Sequence, residues 1–410
     1  MSSSSYNNST NVTVIGVKHP DDVVIVSAVR TPLVSSNRGS FKDTEPEYLL
    51  SAALKGVVEK VGFDPALVQD IVVGTVTTPG MGAGHARMAM LHAGFSESTS
   101  CMTLNRLCAS GLQAVQIITS GIRDGTIDIG IGAGFESLTK NMKNAGVGPK
   151  DLDQDMLNIP GVKDCITPMG VLSDVTAKDF NVSREDQDYL ATLSHHKAAN
   201  AQKNGYFNEE IVPVKTKIIN KDGSVKEVVV SQDEGIRPGT TVEVLSKLKP
   251  VFTKDGTTTA GNSSQVTDGA AAVLLMKRSR AIELGLPIMG KIIASGIVGY
   301  SVRHLLVSPI EAIPLAVKKA GITIDDLDII ELNEAFASQS THVILSLGID
   351  ITKVNPKGGA IALGHPFGTT GARQIGTLLT ELKRTNKRIG AVTMCAAMGN
   401  GMCTIFESEH

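Results

Sequence analysis

Residues 108–131 read CASGLQAVQIITSGIRDGTIDIGI, and this stretch decides the fold class. Its first half carries apolar side chains at helical spacing, namely Leu112, Val115, Ile118 and Ile122. This spacing predicts an amphipathic helix from Cys108 to Ile122, and the run that starts at Asp128 predicts a buried strand. A helix followed directly by a strand is the repeating unit of a parallel sheet covered by helices.

Strands and helices alternate in the same way on both sides of this stretch. Toward the N-terminus, the pattern predicts strands at residues 23–26 and 70–74 and a helix at residues 48–58. Toward the C-terminus it predicts, in a similar order, a strand at 291–293, a helix at 313–319, a strand at 328–332, a helix at 371–382 and a strand at 389–394. We therefore predict two similar α/β halves, at roughly residues 20–135 and 270–410, related by internal duplication.

A segment of different character lies between the halves, at about residues 140–265. Ser183–Asp186 has a capping serine followed by acidic residues, which predicts the start of a helix. Asp222-Gly223 joins two short strand-like runs and predicts a hairpin. We interpret this segment as a loop domain inserted into the first half.

The composition is that of a globular protein long enough for more than one core. The chain has 410 residues, of which 42% are hydrophobic and 20% are charged. The net charge of -2 argues against nucleic-acid binding through bulk positive charge. The sequence contains no apolar run of transmembrane length, so we expect no membrane span.

The cysteine pattern predicts reduced thiols and no metal site. The cysteines are Cys101, Cys108, Cys165, Cys395 and Cys403. Their number is odd and no secretory leader is visible, which favours a reducing compartment. Their spacing does not match that of zinc ligands. Residues 1–15 are rich in Ser, Asn and Thr, and we predict a disordered tail there.

Asn105–Gly111 is the first of four stretches that could carry chemistry. A strand-like run gives way there to a helix, so Cys108 is expected at a helix N-terminus. The helix dipole lowers the pKa of a thiol in that position, and backbone N–H groups there can stabilise an oxyanion. We therefore predict a nucleophilic Cys108 with a lowered pKa. The alternative is a small buried cysteine in a packed helix.

Three more stretches are predicted to lie just past strand ends. Gly358–Gly371 is a glycine-rich loop that holds His365, a candidate partner for a thiol, although a phosphate-binding loop or a structural histidine is an alternative. Cys395–Gly401 offers a thiol for proton transfer or a buried structural cysteine. Asn333–Ala337 offers an amide for a water or an oxyanion, or a plain helix start. Ligands bind at the carboxyl ends of strands in open α/β sheets, so we expect all four stretches to meet.

These stretches resemble the sequence blocks of the thiolase family. The resemblance runs in order along nearly the whole chain, from Ser27–Pro32 to Cys395. It includes Asn-x-x-Cys-x-Ser-Gly, Asn-Glu-Ala-Phe-Ala and Gly-Gly-x-Ile-Ala-x-Gly-His-Pro. It implies the thiolase fold, an α/β architecture in which two duplicated βαβαβαββ halves form a five-layered αβαβα core with an inserted loop domain.

The resemblance and the element pattern together predict the domain boundaries. The predicted parts are a disordered tail at 1–15, an N-terminal half at 16–138, a loop domain at 139–260, a closing part of the N-terminal half at 261–285 and a C-terminal half at 286–410.

The resemblance also implies a role for each candidate catalytic residue. Cys108 would attack the 3-keto carbonyl of a 3-ketoacyl-CoA and become acylated, and Cys395 would protonate the departing acetyl-CoA carbanion and later deprotonate coenzyme A. His365 would polarise the thiol and help to hold the enolate oxygen, and Asn333 would position a water in the same pocket. The backbone N–H groups of Cys108 and Ala397 would form a second oxyanion hole. Two thiols are needed because attack and protonation occur on different atoms.

The resemblance implies that coenzyme A is a substrate and that no further cofactor is needed. Thr259–Gly269 resembles the family's pantetheine-binding stretch. Residues expected to bind coenzyme A or the acyl group are Met169, Phe252, Ala260, Ser264 and Phe336. Without the resemblance, this Gly/Ser/Thr-rich run would be an ordinary loop.

Several positions favour a subtype and others depart from the family pattern. Gln265 after Ser264, Pro168 before Met169, and Asp233–Pro238 resemble the degradative 3-ketoacyl-CoA branch. The family has glycine where this chain has Ala397, whose methyl could crowd the oxyanion hole or shift its backbone. The departures elsewhere are Leu305–Pro309, in place of Met-Gly-x-Gly-Pro, and Leu172–Val175, in place of Thr-x-Glu-Asn. We predict an altered chain-length preference or a reduced rate.

Three other functions remain open at this point. They are a short-chain acetoacetyl-CoA thiolase, a catalytically weak homologue that binds acyl-CoA, and a condensing enzyme of fatty-acid or polyketide type, which would lack the second cysteine. The subtype implies the peroxisome, although neither Ser-Lys-Leu at the end nor Arg-Leu-x5-His-Leu near the start is visible, so the cytoplasm is the alternative. The family implies a homodimer or a dimer of dimers.

Overall fold

The computed structural model describes residues 13–146 and 152–410. Its strands are β1 Val23–Arg30, β2 Val34–Ser35, β3 Asp70–Gly74, β4 Ser100–Leu104, β5 Ile129–Ser137, β6 Val214–Ile219, β7 Val225–Val230, β8 Thr267–Lys277, β9 Gly290–Gly299, β10 Ile329–Leu332, β11 Ile389–Ala396 and β12 Asn400–Ser408. Its helices are α1 Pro46–Glu59, α2 Ala83–His92, α3 Ser110–Arg123, α4 Leu138–Asn141, α5 Pro160–Asp164, α6 Met169–Asp179, α7 Arg184–Lys203, α8 Val242–Leu245, α9 Arg278–Glu283, α10 Pro309–Ala320, α11 Ala337–Ser346, α12 Ala360–Leu363 and α13 Phe367–Arg384. The predicted tail at 1–15 falls mostly outside the described residues.

The two halves have the same strand order. In the N-terminal half the order is β1-β8-β5-β3-β4, and in the C-terminal half it is β9-β12-β11-β10. In each half, the three strands nearest the junction of the halves pair antiparallel with one another. The strands farther from the junction pair parallel. The C-terminal counterpart of β4 is reduced to a single bridge between Ile330 and Val354. Among the described strands, β1 and β9 join the two sheets, with Val24 paired to Lys291 and Ile25 to Gly290.

Three clusters of buried hydrophobic side chains fill the space between the helix layers and the sheets. One packs α1 and α2 on the outer face of the N-terminal sheet, another packs α10 and α11 on the outer face of the C-terminal sheet, and a third lies between the sheets around α3 and α13. Strand β1 serves two of them, because Val24 and Val26 face outward while Val23 and Ile25 face the central layer. A strand buried on both faces reads as a continuous apolar run, which is why Val23–Val26 was recognisable in the sequence. The predicted five-layered αβαβα thiolase fold is confirmed.

Glycines allow the central helices α3 and α13 to pack with their backbones nearly touching. A Cβ placed on Gly111 would lie 2.6 Å from the Gly368 carbonyl oxygen, and one on Gly371 would lie 2.3 Å from the Leu112 nitrogen. No other residue fits such an approach. This packing brings the N-terminal ends of the two helices, one from each half, to the same place.

A buried network of charges ties the loop segment to both halves. Arg30, at the end of β1, donates to Glu210 (2.8 Å) and to both carboxylate oxygens of Asp233 (2.7 and 2.8 Å). Lys357 of the C-terminal half donates to Glu210 at 2.9 Å. Burial alone would raise the pKa of Glu210, but Lys357 and Arg30 outweigh it and lower the pKa to about 2. Removing one partner would leave an uncompensated buried charge, so this network fixes how the loop segment sits on the core.

The sequence predictions for individual elements hold with small shifts. The Ser183 hydroxyl caps α7 by accepting from the Asp186 N–H, and Asp222-Gly223 lies in the turn between β6 and β7. The helix predicted from Cys108 begins two residues later, at Ser110. Within the described part of the chain, none of the helices has both the length and the apolarity of a membrane span.

Candidate active site

Cys108 lies in a tight 3-10 turn, Leu107–Ala109, that follows β4 and precedes α3. Polar side chains on either side shape this turn, since the Leu107 N–H donates to Asn105 Oδ1 and the Arg106 N–H donates to Ser110 Oγ, each at 2.8 Å. They hold Leu107 at a φ of 52°, a left-handed conformation that costs energy for a residue with a Cβ. This turn accounts for the two-residue shift between the predicted helix start at Cys108 and the start of α3 at Ser110.

The prediction of a lowered pKa for Cys108 was wrong. The side chain is 8% exposed, and burial raises its pKa to about 12. The backbone N–H groups of Ala397 and of Cys108 itself lower the pKa, but not enough to offset burial. The Glu136 carboxylate raises it further. Cys108 is therefore a thiol at neutral pH and needs a base before it can act as a nucleophile.

Cys395 comes from the other half and faces the same place. It is the penultimate residue of β11 rather than a residue past its end, and it is fully buried. Burial, and then the nearby Cys108, raise its pKa above the ordinary value. The turn that holds Cys108 packs directly against β11. The structure therefore brings the two cysteines together from positions far apart in the chain.

His365 lies between α12 and α13, so the expectation that it directly follows a strand was wrong. Its N–H donates to the Gln265 carbonyl at 3.0 Å, Nδ1 lies 2.6 Å from Thr370 Oγ1, and Nε2 lies 3.4 Å from Asn333 Nδ2. Burial, and then Arg373, lower the pKa of the imidazole to about 3. The ring is therefore neutral. With Nδ1 protonated and donating to Thr370 Oγ1, Nε2 is the unprotonated nitrogen; it accepts from the Asn333 amide and must release that hydrogen bond to take up a proton.

Asn333 directly follows β10 and is completely buried. Within the described part of the chain its Oδ1 has no hydrogen-bond partner, although its Nδ2 points to His365. A buried acceptor without a partner is costly, and a site of this kind in a polar pocket suits a bound water or a ligand donor. The amide is thus placed beside the imidazole with one atom available.

Ala397 lies in the turn between β11 and β12, and its N–H faces the Cys108 sulfur. The left-handed φ values of this turn fall on Met398 (59°) and Gly399 (81°), not on Ala397. An alanine therefore fits this backbone without strain. The structure gives no support to the concern that its methyl shifts the backbone.

An apolar cluster of side chains packs around Cys395. Its buried members are Leu172, Leu305, Leu306, Ala335 and Cys395, with Met169, Val302 and Phe336 packed against them. The positions at 172, 305 and 306 depart from the family pattern, and all three belong to this one cluster. The departures predicted to alter the acyl site thus lie together beside Cys395.

The residues expected to bind coenzyme A lie near this cluster. The Phe252 ring is 41% exposed and meets the Phe336 ring edge-on at 6.3 Å, while Gly170, next to Met169, packs against Phe252. Ser264 is half-buried, and its N–H donates to the Ala335 carbonyl at 3.0 Å. Ala260 is exposed in the same loop. Met169 and Phe336 pack against the cluster that contains Cys395.

Sequence reasoning missed two residues that build the site. Glu136, the penultimate residue of β5, accepts from the N–H groups of Val76 (3.0 Å), Thr77 (2.9 Å) and Gly368 (3.0 Å) and so ties β5 to the start of α13. Gln265 holds the His365 loop, because its Nε2 donates to the Ile361 and Ala362 carbonyls at 3.0 and 2.9 Å. An acidic residue at the end of a fully apolar strand was the available signal for Glu136.

The site contains no grouping suited to a metal. Within residues 13–146 and 152–410, His, Cys, Asp and Glu side chains do not gather in threes that could hold an ion. All five cysteines are unpaired.

Comparisons with known proteins agree with this geometry. Residues 23–279 match the family model of the thiolase N-terminal domain and residues 286–408 that of the thiolase C-terminal domain. The rat protein named 3-ketoacyl-CoA thiolase B, peroxisomal, is 50% identical over 387 residues, which cover 94% of this chain and 91% of the rat protein.

Solved structures give the same result. The dimeric peroxisomal thiolase of Saccharomyces cerevisiae superposes with a TM-score of 0.89 at 43% identity, covering 96% of this chain and 99% of the yeast chain. Human mitochondrial 3-ketoacyl-CoA thiolase in complex with CoA superposes with a TM-score of 0.84 at 33% identity, covering 95% and 98%. The chain belongs to the thiolase family.

Proposed function

We propose that this protein is a 3-ketoacyl-CoA thiolase, an acyltransferase of fatty-acid β-oxidation that cleaves a 3-ketoacyl-CoA with coenzyme A into acetyl-CoA and a shortened acyl-CoA. One observation carries the proposal: a thiol from each half faces one buried site beside a neutral imidazole and an amide with an unpartnered oxygen. The rat relative is named for this activity. A condensing enzyme would lack the thiol at Cys395.

In the first half-reaction, Cys108 attacks the 3-keto carbon. The thiol proton passes to His365 Nε2, whose partner Thr370 holds the ring in the correct orientation. The bond between the α and β carbons then breaks, and its electron pair forms the enolate of acetyl-CoA. The enolate oxygen is held by His365 and by a water bound to Asn333. Cys395 protonates the carbanion, which leaves as acetyl-CoA.

In the second half-reaction, coenzyme A takes the acyl group. Cys395 is now a thiolate and removes the thiol proton of the incoming coenzyme A, which attacks the Cys108 thioester. The carbonyl oxygen becomes an oxyanion held by the N–H groups of Cys108 and Ala397, and the return of the electron pair expels the Cys108 sulfur, which takes its proton back from His365 Nε2. Both N–H groups already face that sulfur, which supports this role.

Coenzyme A reaches the site past the Phe252–Phe336 edge, with Ser264 and Ala260 along the pantetheine and Met169 beside the acyl group. Coenzyme A serves as substrate, and the mechanism needs no further cofactor. The human relative was solved with CoA.

The acyl-binding site of this chain is narrower than the family pattern would make it. Leu306 occupies a position that is glycine in the family pattern, and it is fully buried in the cluster beside Cys395. A leucine in place of glycine removes the volume of several methylene groups, so long acyl chains bind at a cost. Short 3-ketoacyl-CoA substrates are therefore the preferred ones.

The protein works as a homodimer in the peroxisome. The rat relative and the yeast structure are both designated peroxisomal, and the yeast protein is dimeric. Strand β4 is an edge of the sheet, with Met102 43% exposed and Met88 of α2 55% exposed nearby. An edge strand with exposed apolar side chains suits pairing with a second copy. The domain division at 16–138, 139–260, 261–285 and 286–410 is part of this proposal.

A thiolysis series from four to sixteen carbons tests the proposal. We expect coenzyme A-dependent release of acetyl-CoA that is fastest for short chains, and a Cys108→Ser variant without activity. Leu306→Gly should raise the rate on long chains about tenfold relative to short ones. A lack of turnover at every length would overturn the enzyme function, while a wild-type rate that does not depend on length would overturn the narrowed pocket.

A further inference from the structure

The turn that presents the Ala397 N–H is held from outside by a few contacts. The Tyr300 N–H donates to the Gly399 carbonyl at 2.7 Å, and Asn400 Nδ2 donates to the Ala397 carbonyl at 3.1 Å. The Asn400 carbonyl in turn accepts a hydrogen bond from Ser308 Oγ at 2.8 Å. Ser308 thus acts on the same residue whose side chain fixes Ala397.

Ser308 is well placed to hold this turn firmly. It is completely buried at the junction between the 3-10 turn Leu305–Val307 and α10, and its only hydroxyl proton goes to Asn400. It also packs closely against the hairpin, because a Cβ on Gly401 would lie 2.8 Å from the Ser308 Cβ. The hairpin therefore cannot shift at this point without leaving the buried Ser308 hydroxyl unpaired.

The turn needs such an anchor because it is strained. Met398 adopts a φ of 59° and is 47% exposed, so its side chain provides little packing to offset the strained backbone. A turn of this kind relaxes unless the surrounding structure holds it. If it relaxes, the peptide before it, which carries the Ala397 N–H, moves relative to Cys108.

We propose that Ser308 is a positioning residue for thiolysis: through Asn400 it keeps the Ala397 N–H aimed at the Cys108 sulfur and at the oxyanion that forms there. The inference rests on the proposed function for its catalytic consequence. The family pattern has glycine at this position and at 397, and this chain replaces both. The hydroxyl at 308 and the alanine at 397 lie at the two ends of one chain of hydrogen bonds.

The first test compares Ser308→Ala with wild type in two assays. We expect kcat for thiolysis to fall about tenfold, a fraction of the loss caused by deleting an oxyanion donor, with KM for both substrates within about twofold. In the absence of substrate, the pH profile of Cys108 alkylation by iodoacetamide should shift to higher pH, because the Ala397 N–H no longer favours the thiolate. Tryptic peptide 107–123 contains only this cysteine, so mass spectrometry follows it alone.

The matched control is Thr393→Val. The Thr393 hydroxyl also donates to a carbonyl of this hairpin, that of Met402, at 3.0 Å and in full burial, but away from the turn. We expect it to lower the melting temperature as much as Ser308→Ala does while leaving kcat and the alkylation profile unchanged. Equal kcat and equal profiles in Ser308→Ala and wild type would overturn the proposal and leave Ser308 a purely structural residue.

A second variant keeps the test decisive if Ser308→Ala does not fold. Asn400→Ala removes the donor to the Ala397 carbonyl and should produce the same loss of kcat and the same shift in alkylation. Where both single variants fold, the double variant should lose less than the product of the two, because both act through Asn400 on one turn. The alkylation profile does not require turnover, so it tests Ser308 even if thiolysis itself were absent.

Discussion

The two halves of this protein share a scaffold but supply different chemistry from equivalent places. The penultimate residue of β5 is Glu136 and that of its counterpart β11 is Cys395. Cys108 precedes central helix α3, and His365 precedes central helix α13. The first residue after β3 is Thr75, and the first after β10 is Asn333. The duplication thus places equivalent backbone positions of the two halves around one site. The side chains at these equivalent positions differ between the halves.

The difference shows which half carries which task. The N-terminal half provides the nucleophile and the buried carboxylate of Glu136. The oxygens of this carboxylate accept hydrogen bonds from backbone N–H groups, so Glu136 has a structural role. The C-terminal half provides the imidazole, the amide and the second thiol, which handle protons and the enolate. Its counterpart of β4 is reduced to one bridge at Val354, and the freed chain leads into the loop that carries His365.

The largest effect is expected from removing the nucleophile of the N-terminal half. Cys108→Ala should lower kcat by at least about 10⁴-fold, because no other group can carry the acyl chain. Loss of 3-ketoacyl-CoA with added coenzyme A measures it. The control is Cys101→Ala, on β4 in the same half and only partly buried, which should keep the wild-type rate. A Cys108→Ala enzyme whose kcat falls by clearly less than about 10⁴-fold would contradict the division of tasks.

The second thiol, in the C-terminal half, should matter less than the first. Cys395→Ala removes a proton donor and acceptor, a contribution of about 10²–10³ in kcat, while Cys108 still becomes acylated. Rapid-quench measurement of the acyl-enzyme separates the two steps. Cys403→Ala, a buried thiol on the neighbouring strand β12, serves as control. Loss of acylation in Cys395→Ala would mean that Cys395 acts earlier than proposed.

Replacement of Glu136, the counterpart of Cys395 in the N-terminal half, should lower stability. Glu136→Gln places an NH₂ group against the N–H donors of Val76, Thr77 or Gly368 and leaves at least one of them unsatisfied in the interior. We expect the free energy of unfolding in denaturant to fall by about 2–3 kcal/mol. An unchanged free energy would contradict the structural role assigned to this carboxylate.

The smallest expected effect is on the pH dependence of stability, and it comes from the C-terminal half. Burial lowers the pKa of His365 to about 3, so the unfolded chain binds a proton below about pH 6.5 that the folded protein does not. The contribution of this residue to the free energy of unfolding is therefore complete above about pH 6.5. It decreases as the pH falls below that value, by about 1.4 kcal/mol per pH unit. His365→Asn should flatten the slope by that amount, as measured by unfolding in denaturant at a series of pH values.

The sequence allowed much of the fold to be predicted, because its strands are buried on both faces and read as apolar runs. The identity of the four catalytic candidates was also accessible, since each lies in a distinctive stretch. The protonation states of these residues could not be predicted from the sequence. The helix N-terminus near Cys108 suggested a low pKa, but burial dominates, and burial depends on contacts from the distant residues 395–397. The hydrogen bonds of Glu136, Gln265 and Ser308 likewise join segments far apart in sequence.

The central claim is that the two halves act on one carbonyl, with Cys108 alone carrying the acyl group. Incubation of the wild-type protein with a short 3-ketoacyl-CoA, without coenzyme A, followed by trypsin digestion and mass spectrometry, tests this directly. The account predicts the shortened acyl group on peptide 107–123, which contains Cys108, and none on peptide 389–410, which contains Cys395 and Cys403. An acyl group on peptide 389–410, or on neither peptide, would contradict it.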